Sequence, residues 1–235
     1  MPMPYYVSPE QMMQDKAEYA RKGIAKGKSL VALEYVDGII LAAENPSSSL
    51  SKISEIYDRI SFAGVGKYSE FENLRKSGIR YADIKGYTYS REDVTGKSLA
   101  NAYSQLIGNI FTKEIKPLEV EILVVEVGET PDKNSMYHLL FDGSITDRRQ
   151  YAVIGGHAET VSVFLRDNYK ENCALNEALA LCRAALEKTN DQKIINENNL
   201  EVAILDRNLE GRKFRRLYPS EIKERLKSAK TMLNS

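Results

Sequence analysis

The chain has 235 residues, 43% of them apolar, enough for one large domain with a sizeable core. Its 33 basic and 33 acidic side chains give a formal net charge of zero, which excludes a uniform electrostatic attraction to nucleic acid. Its apolar runs fall short of the roughly 20 residues of a membrane span, and Met1 to Asp15 lacks the basic and apolar regions of a secretory signal.

Met1-Pro2-Met3-Pro4 predicts an extended leader, followed by Tyr5, Tyr6 and Val7. Ser8 is a good N-cap and Pro9 suits the first helical position, so Glu10 to Lys22 reads as a helix that Gly23 and Gly27 end. Four short apolar segments come next: Ser29–Glu34, Gly38–Ala43, Ile53–Ile56 and Ser61–Gly66. Asp37-Gly38 is a hairpin turn signal, and the four segments read as two β-hairpins that start a sheet. Tyr68, Phe71, Leu74 and Arg75 repeat at helical spacing. Asp93-Val94-Thr95-Gly96 opens a second helix with an apolar stripe from Leu99 to Ile110. Val120–Val127 and Met136–Phe141 predict strands, and after an Asp142-Gly143 turn Ile145 to Ile154 returns as one strand. Gly155-Gly156 breaks the sheet. Helices over Glu159–Tyr169 and Leu175–Lys188 follow, then strands over Leu200–Leu205 and Lys213–Leu217 and a last helix from Pro219 or Ser220. Paired helices between groups of strands favour two packed antiparallel sheets between helical layers, an α+β architecture.

The chemistry is conspicuous for what it lacks. Proteins that begin such a sheet with a free Thr, Ser or Cys use it as an N-terminal nucleophile. Here Lys28-Ser29 stands at that place, behind 27 further residues. Gly96-Lys97-Ser98 resembles the end of a P-loop, but Arg91 replaces the required glycine, so a helix start is the better reading. Gly155-Gly156-His157 reads as a strand-to-helix turn rather than an anion nest. Cys173 and Cys182 read as reduced core thiols of a cytosolic protein, and their spacing lacks the nearby histidine ligands of a metal pair, so no metal or other cofactor is expected. The basic run Arg212-Lys213-Phe214-Arg215-Arg216 reads as an exposed strand or subunit contact.

Taken together in order, several stretches resemble the α-subunit of the 20S proteasome in its bacterial, actinobacterial form. They are Ser8-Pro9-Glu10 with Glu18-Tyr19-Ala20, Val36-Asp37-Gly38, Ala42-Ala43-Glu44-Asn45-Pro46, Lys52-Ile53 and Tyr57-Asp58-Arg59. The most particular run from Phe62 through Gly64-Val65-Gly66 to Arg75, and Asp93 to Tyr103 is nearly as particular. The resemblance implies a four-layer αββα sandwich, the fold of the Ntn hydrolases and proteasome subunits, with an extra N-terminal helix. It implies three parts: residues 1–7 as a gate segment, 8–218 as the sandwich, and 219–235 as a C-terminal helix and tail.

The same resemblance implies a non-catalytic subunit of seven-membered outer rings, which gate substrate entry to catalytic β-subunit threonine peptidases. Met1, Pro2, Met3, Pro4, Tyr5, Tyr6 and Val7 match the gate, Pro9 its turn proline and Tyr19 a tyrosine that holds the open gate. Lys52 matches a pocket lysine that receives the C-terminal carboxylate of a ring-shaped ATPase. Gly66 matches a pocket glycine, and Glu18 and Arg21 match charged residues at the rim. The Ser8–Gly23 helix is the candidate ring contact. The implied partners are neighbouring α-subunits, β-subunits, the ATPase and unfolded protein in transit, in the cytoplasm, with no nucleic acid or membrane. The alternative is a free-standing Ntn-type hydrolase with a relocated nucleophile.

Overall fold

The computed structural model of the chain describes residues 8–189 and 194–233. Helix α1 (Pro9–Ala25) starts where the sequence predicts, with the Ser8 side chain accepting the Gln11 backbone N–H. It runs through Gly23, the predicted stop. Ala20 and Ile24 are buried against Phe141, and that packing outweighs the roughly 1 kcal/mol helix penalty of a glycine.

The two N-terminal hairpins form as predicted but part company. Strands β1 (Leu30–Tyr35) and β2 (Gly38–Glu44) enter one sheet; β3 (Ile53–Tyr57) and β4 (Ile60–Gly66) enter another. Helices α2 (Tyr68–Thr88) and α3 (Gly96–Lys113) follow, then β5 (Val120–Glu126), β6 (Ser135–Leu139), β7 (Ile145–Arg148) and β8 (Tyr151–Ile154). The chain closes with α4 (Ala158–Asn168), α5 (Leu175–Glu187), β9 (Leu200–Asp206), β10 (Phe214–Leu217) and α6 (Pro219–Leu233). One sheet has the order β10-β9-β2-β1-β8 and the other β3-β4-β5-β6-β7. Every pairing is antiparallel.

The expected single strand from Ile145 to Ile154 is two strands in different sheets. Gln150 sits at φ 68°, in the left-handed region, and redirects the chain between them. Glu34 of β1 holds the crossing: its carboxylate accepts the Gln150 N–H at 2.9 Å and the Asn134 side-chain amide at 3.1 Å.

Alternation along the strands makes the layers. Leu30, Ala32, Ile39, Leu41, Ile53, Ala63, Leu123 and Val125 meet between the sheets. The opposite faces of β1 and β2, with Val31, Leu33 and Ile40, pack on Leu179, Cys182 and Leu186 of α5 and on Ile222 and Leu226 of α6. Phe62, Ile122 and Val124 pack on Phe71 and Leu74 of α2 and on Leu99, Tyr103 and Ile107 of α3. The order of layers is helix, sheet, sheet, helix, the αββα sandwich implied by the sequence, with α1 as the added helix.

Gly38 follows the β1–β2 turn and faces β9, and a Cβ there would overlap the Leu205 carbonyl oxygen. That neighbour is backbone in a paired strand and cannot rotate away. Gly38→Ala is therefore expected to cost about 3 kcal/mol, the upper end of overpacking, in urea unfolding monitored by circular dichroism.

Candidate functional site

The sandwich end where β1 begins holds Lys52 and Gly66, two of the residues singled out in the sequence. Lys28 precedes β1, Glu44 ends β2, Lys52 precedes β3 and Gly66 ends β4. Lys28 and Ser29 lie mid-chain between α1 and β1, and Ser29 is buried. The Lys52 Nζ reaches across the end of the sheets and donates to two backbone carbonyls, Lys28 O at 3.2 Å and Glu44 O at 3.0 Å. Burial pushes its pKa down to about 8, against the attraction of Glu201 and Glu44. Charged Lys52 thus weighs against the fold at neutral pH. That penalty is relieved as pH rises from about 8 toward the ordinary lysine value of 10.5.

Two carboxylates fasten this end. Glu201 of β9 accepts the backbone N–H of Lys52 at 2.9 Å and of Ile53 at 3.1 Å. The same carboxylate takes Asn45 Nδ2 at 2.7 Å and the Arg216 guanidinium at 2.8 Å. It therefore ties the start of β3 in one sheet to β9 in the other. Glu121 of β5 works in the opposite direction. It pairs with His138 Nε2 at 2.7 Å and accepts the Gly155 N–H at 2.7 Å, beyond the end of β8. Gly155, at φ 105°, holds its amide toward Glu121, so this turn is no free anion nest.

Helix α1 lies across this end. Gly27 leads into β1 so close to Val65 and Gly66 that a Cβ on Gly27 would sit 3.2 Å from the Gly66 amide nitrogen. Gly66, at φ 106°, presses on the Glu119 carbonyl. Glu119 in turn meets Tyr19: the phenol lies 3.5 Å from its Oε2, and Lys116 sits 5.7 Å from the Tyr19 ring centroid. The Glu70 hydrogen bond raises the pKa of Lys116, and so favours its charged form. Tyr19 is half exposed. Glu18 and Arg21 are exposed on α1; Glu18 pairs with Lys22 at 2.7 Å, and Arg21 sits over the Phe141 ring at 5.6 Å. Pro9 occupies the first turn of α1, and residues 1–7 of the expected gate lie outside the described residues. Between α1 and the chain after α3 runs a groove of about 680 Å3, lined in part by Met12, Tyr19, Ile115 and Pro117. Ile115 is 94% exposed, a large apolar side chain standing in solvent.

Other motifs resolve into structure. Gly96-Lys97-Ser98 is a helix start, with a reciprocal capping box between Thr95 and Ser98. Cys173 and Cys182 are buried free thiols. The basic run is less exposed than expected, because Arg212, Arg215 and Arg216 pair with Glu55, Glu221 and Glu201 and Phe214 is buried. The sequence alone did not single out Glu201, Glu119 or the Glu121–His138 pair; Glu201 reaches the Lys52 amide from 149 residues away and Tyr19 reaches Glu119 from 100.

A two-sheet sandwich whose first strand follows a helix, with lysine at the place of a terminal nucleophile, is the architecture of a proteasome-type subunit. Residues 24–205 match the family model described as Proteasome subunit. The chain belongs to this family, on its α-subunit branch. It is 51% identical over 230 residues to the proteasome subunit alpha of Thermobifida fusca (strain YX), covering 97% of this chain and 92% of that one. The proteasome subunit alpha of Acidothermus cellulolyticus is 52% identical, covering 97% of this chain and 99% of its own. That of Actinosynnema mirum is 53% identical, covering 92% and 85%.

Removing Glu201 leaves the Lys52 and Ile53 amides without their acceptor, while Asn45 keeps the Leu50 carbonyl and Arg216 that of Ile53. Glu201→Ala is expected to cost about 1–3 kcal/mol, the range for leaving buried donors without an acceptor, since Arg216 is itself part exposed. Thermal unfolding with circular dichroism reads the loss, and Glu224→Ala on the exposed face of α6 serves as the neutral comparison.

Proposed function

We propose that the chain is a non-catalytic outer-ring subunit of a 20S proteasome core. In this reading it gates substrate entry and docks a ring-shaped ATPase, while β-subunits cleave the substrate. The observation that carries it is the start of β1. Lys28 stands where a terminal threonine would serve, Ser29 is buried, and the chain runs on through Gly27 into α1 without a free amine. The same facts weigh against a free-standing Ntn hydrolase. Purified chain, alone, is expected to show no labelling by threonine-directed inhibitors; labelling would overturn the non-catalytic assignment.

The chain divides, in this proposal, into gate residues 1–7, a sandwich over 8–218 and a helix with tail over 219–235. The sandwich assembles with neighbouring α-subunits into a heptamer through α1 and its exposed apolar groove, and with β-subunits on the opposite side. The particle works in the cytoplasm on unfolded protein chains. No helix of the described residues is long and apolar enough to cross a membrane. Gate residues converging on the ring axis restrict the pore by bulk. Deleting residues 1–7 is expected to speed degradation of unfolded proteins by the assembled particle more than cleavage of small peptides. Equal rates for intact and truncated particles on both substrates would remove these residues from the gate.

Lys52, with Gly66 at the end of the neighbouring strand β4 and Glu18 and Arg21 as the rim, is the proposed seat of the ATPase tail carboxylate. A charge-assisted hydrogen bond of about 1.5–3 kcal/mol corresponds to roughly tenfold to hundredfold in affinity for each tail. Several tails of one ring amplify the effect. Lys52→Ala is expected to weaken activator binding by at least that factor, per assembled particle, in a titration. It also deprives the Lys28 and Glu44 carbonyls of their donor, so ring yield and melting temperature are measured alongside. A lower melting temperature with unchanged affinity would make Lys52 a structural lysine only.

A further inference from the structure

The hydrogen bonding around Lys52 has a donor left over. An ammonium carries three N–H groups. Two of them meet the carbonyls of Lys28 and Glu44, and among the described residues no carboxylate is hydrogen-bonded to the amine. Glu44 is engaged by Lys28 at 3.2 Å, and Glu201 is occupied by two backbone amides, Asn45 and Arg216. A neutral amine has two N–H groups and satisfies both carbonyls equally well. The two carbonyls thus accommodate both protonation states, and an arriving anion selects one of them.

We propose that docking of a carboxylate at Lys52 is proton-linked: the amine takes up a proton as the ligand binds, and affinity falls as the solution turns alkaline. This rests on the docking role proposed above. The proton goes to the Lys52 Nζ, and the third N–H that it completes points to the ligand's carboxylate. The surrounding charges have other partners: Lys28 and Glu44 pair with each other, and Arg216 with Glu201. His157 donates its backbone N–H to Ser29 Oγ, and the Glu121 carboxylate, bonded to His138 and to the Gly155 amide, stands near the Lys28 carbonyl, so its charge also acts at this end. Burial of the amine, with its pKa of about 8, places the transition within a mildly alkaline range.

The test uses the full chain assembled with its β-subunits. The probe is the C-terminal decapeptide of the ring ATPase from the same organism, carrying a fluorophore at its N-terminus, alongside the same peptide as a C-terminal amide. With the amine nine-tenths protonated at pH 7 and one-tenth at pH 9, Kd is expected to be about tenfold weaker at pH 9. Lys52→Arg, which stays charged throughout, is expected to flatten that dependence. Acetylation of Lys52 by trace acetic anhydride, followed by mass spectrometry from pH 6.5 to 10, reads its protonation directly. Its midpoint is expected near 8 and to move upward when the acid peptide is bound. Equal Kd at pH 7 and pH 9 in the unmodified particle, or a midpoint that the peptide does not move, would overturn the proton linkage while leaving docking intact. No binding at pH 7, or equal binding of acid and amide peptides, would overturn the docking role and the linkage with it.

Discussion

The architecture depends on two carboxylates that cross between the sheets. Apolar packing between flat surfaces supplies most of the driving force for a sandwich, but it is non-directional and tolerates sliding. Glu201 and Glu121 supply direction. Glu201 leaves one sheet to receive two consecutive amides at the start of β3 in the other. Glu121 leaves the second sheet to receive the amide beyond β8 in the first. Each carboxylate is also met by a basic side chain, Arg216 in one case and His138 in the other. Together they fix the relative position of the strand ends that carry Lys28, Lys52 and Gly66. The candidate site inherits its geometry from this lock.

That dependence explains how one fold can serve as enzyme or as scaffold. The strand ends that converge near Lys28 are a place where reactive groups would be held firmly. Here the same convergence holds a lysine amine against two carbonyls. The fold supplies rigidity and the residues supply the role, so function has to be argued from the site and not from the layers.

Much of this was legible in the sequence, where the physics is local. Asp37-Gly38 announces a hairpin turn between two apolar runs, and Ser8-Pro9 announces a helix start through capping. Short apolar segments between turn signals announced most of the strands of both sheets. What remained hidden was non-local. The switch at Gln150 leaves no glycine or proline in the sequence, because Glu34 of β1 holds the strained residue from outside. Lys52 stood out only through family resemblance. The glutamate that holds its backbone lies 149 residues away, a contact no spacing rule reaches. Gly23 misled for a related reason, since a local helix breaker was overruled by tertiary packing at Ile24.

Lys16 carries a mechanical consequence. It is buried beneath α1, and its Nζ donates to the carbonyls of Phe111 at 3.1 Å and Glu114 at 2.7 Å, at the C-terminal end of α3. Those carbonyls have no partner within their own helix, and the ammonium suits the negative end of the helix dipole. The lysine therefore acts as a rivet between two helices that share no covalent neighbour. A force applied to the exposed face of α1 cannot bend that helix away alone, because doing so would strand a buried charge. It turns α1 and the end of α3 together, as one lever whose far arm reaches into the helical layer over the second sheet.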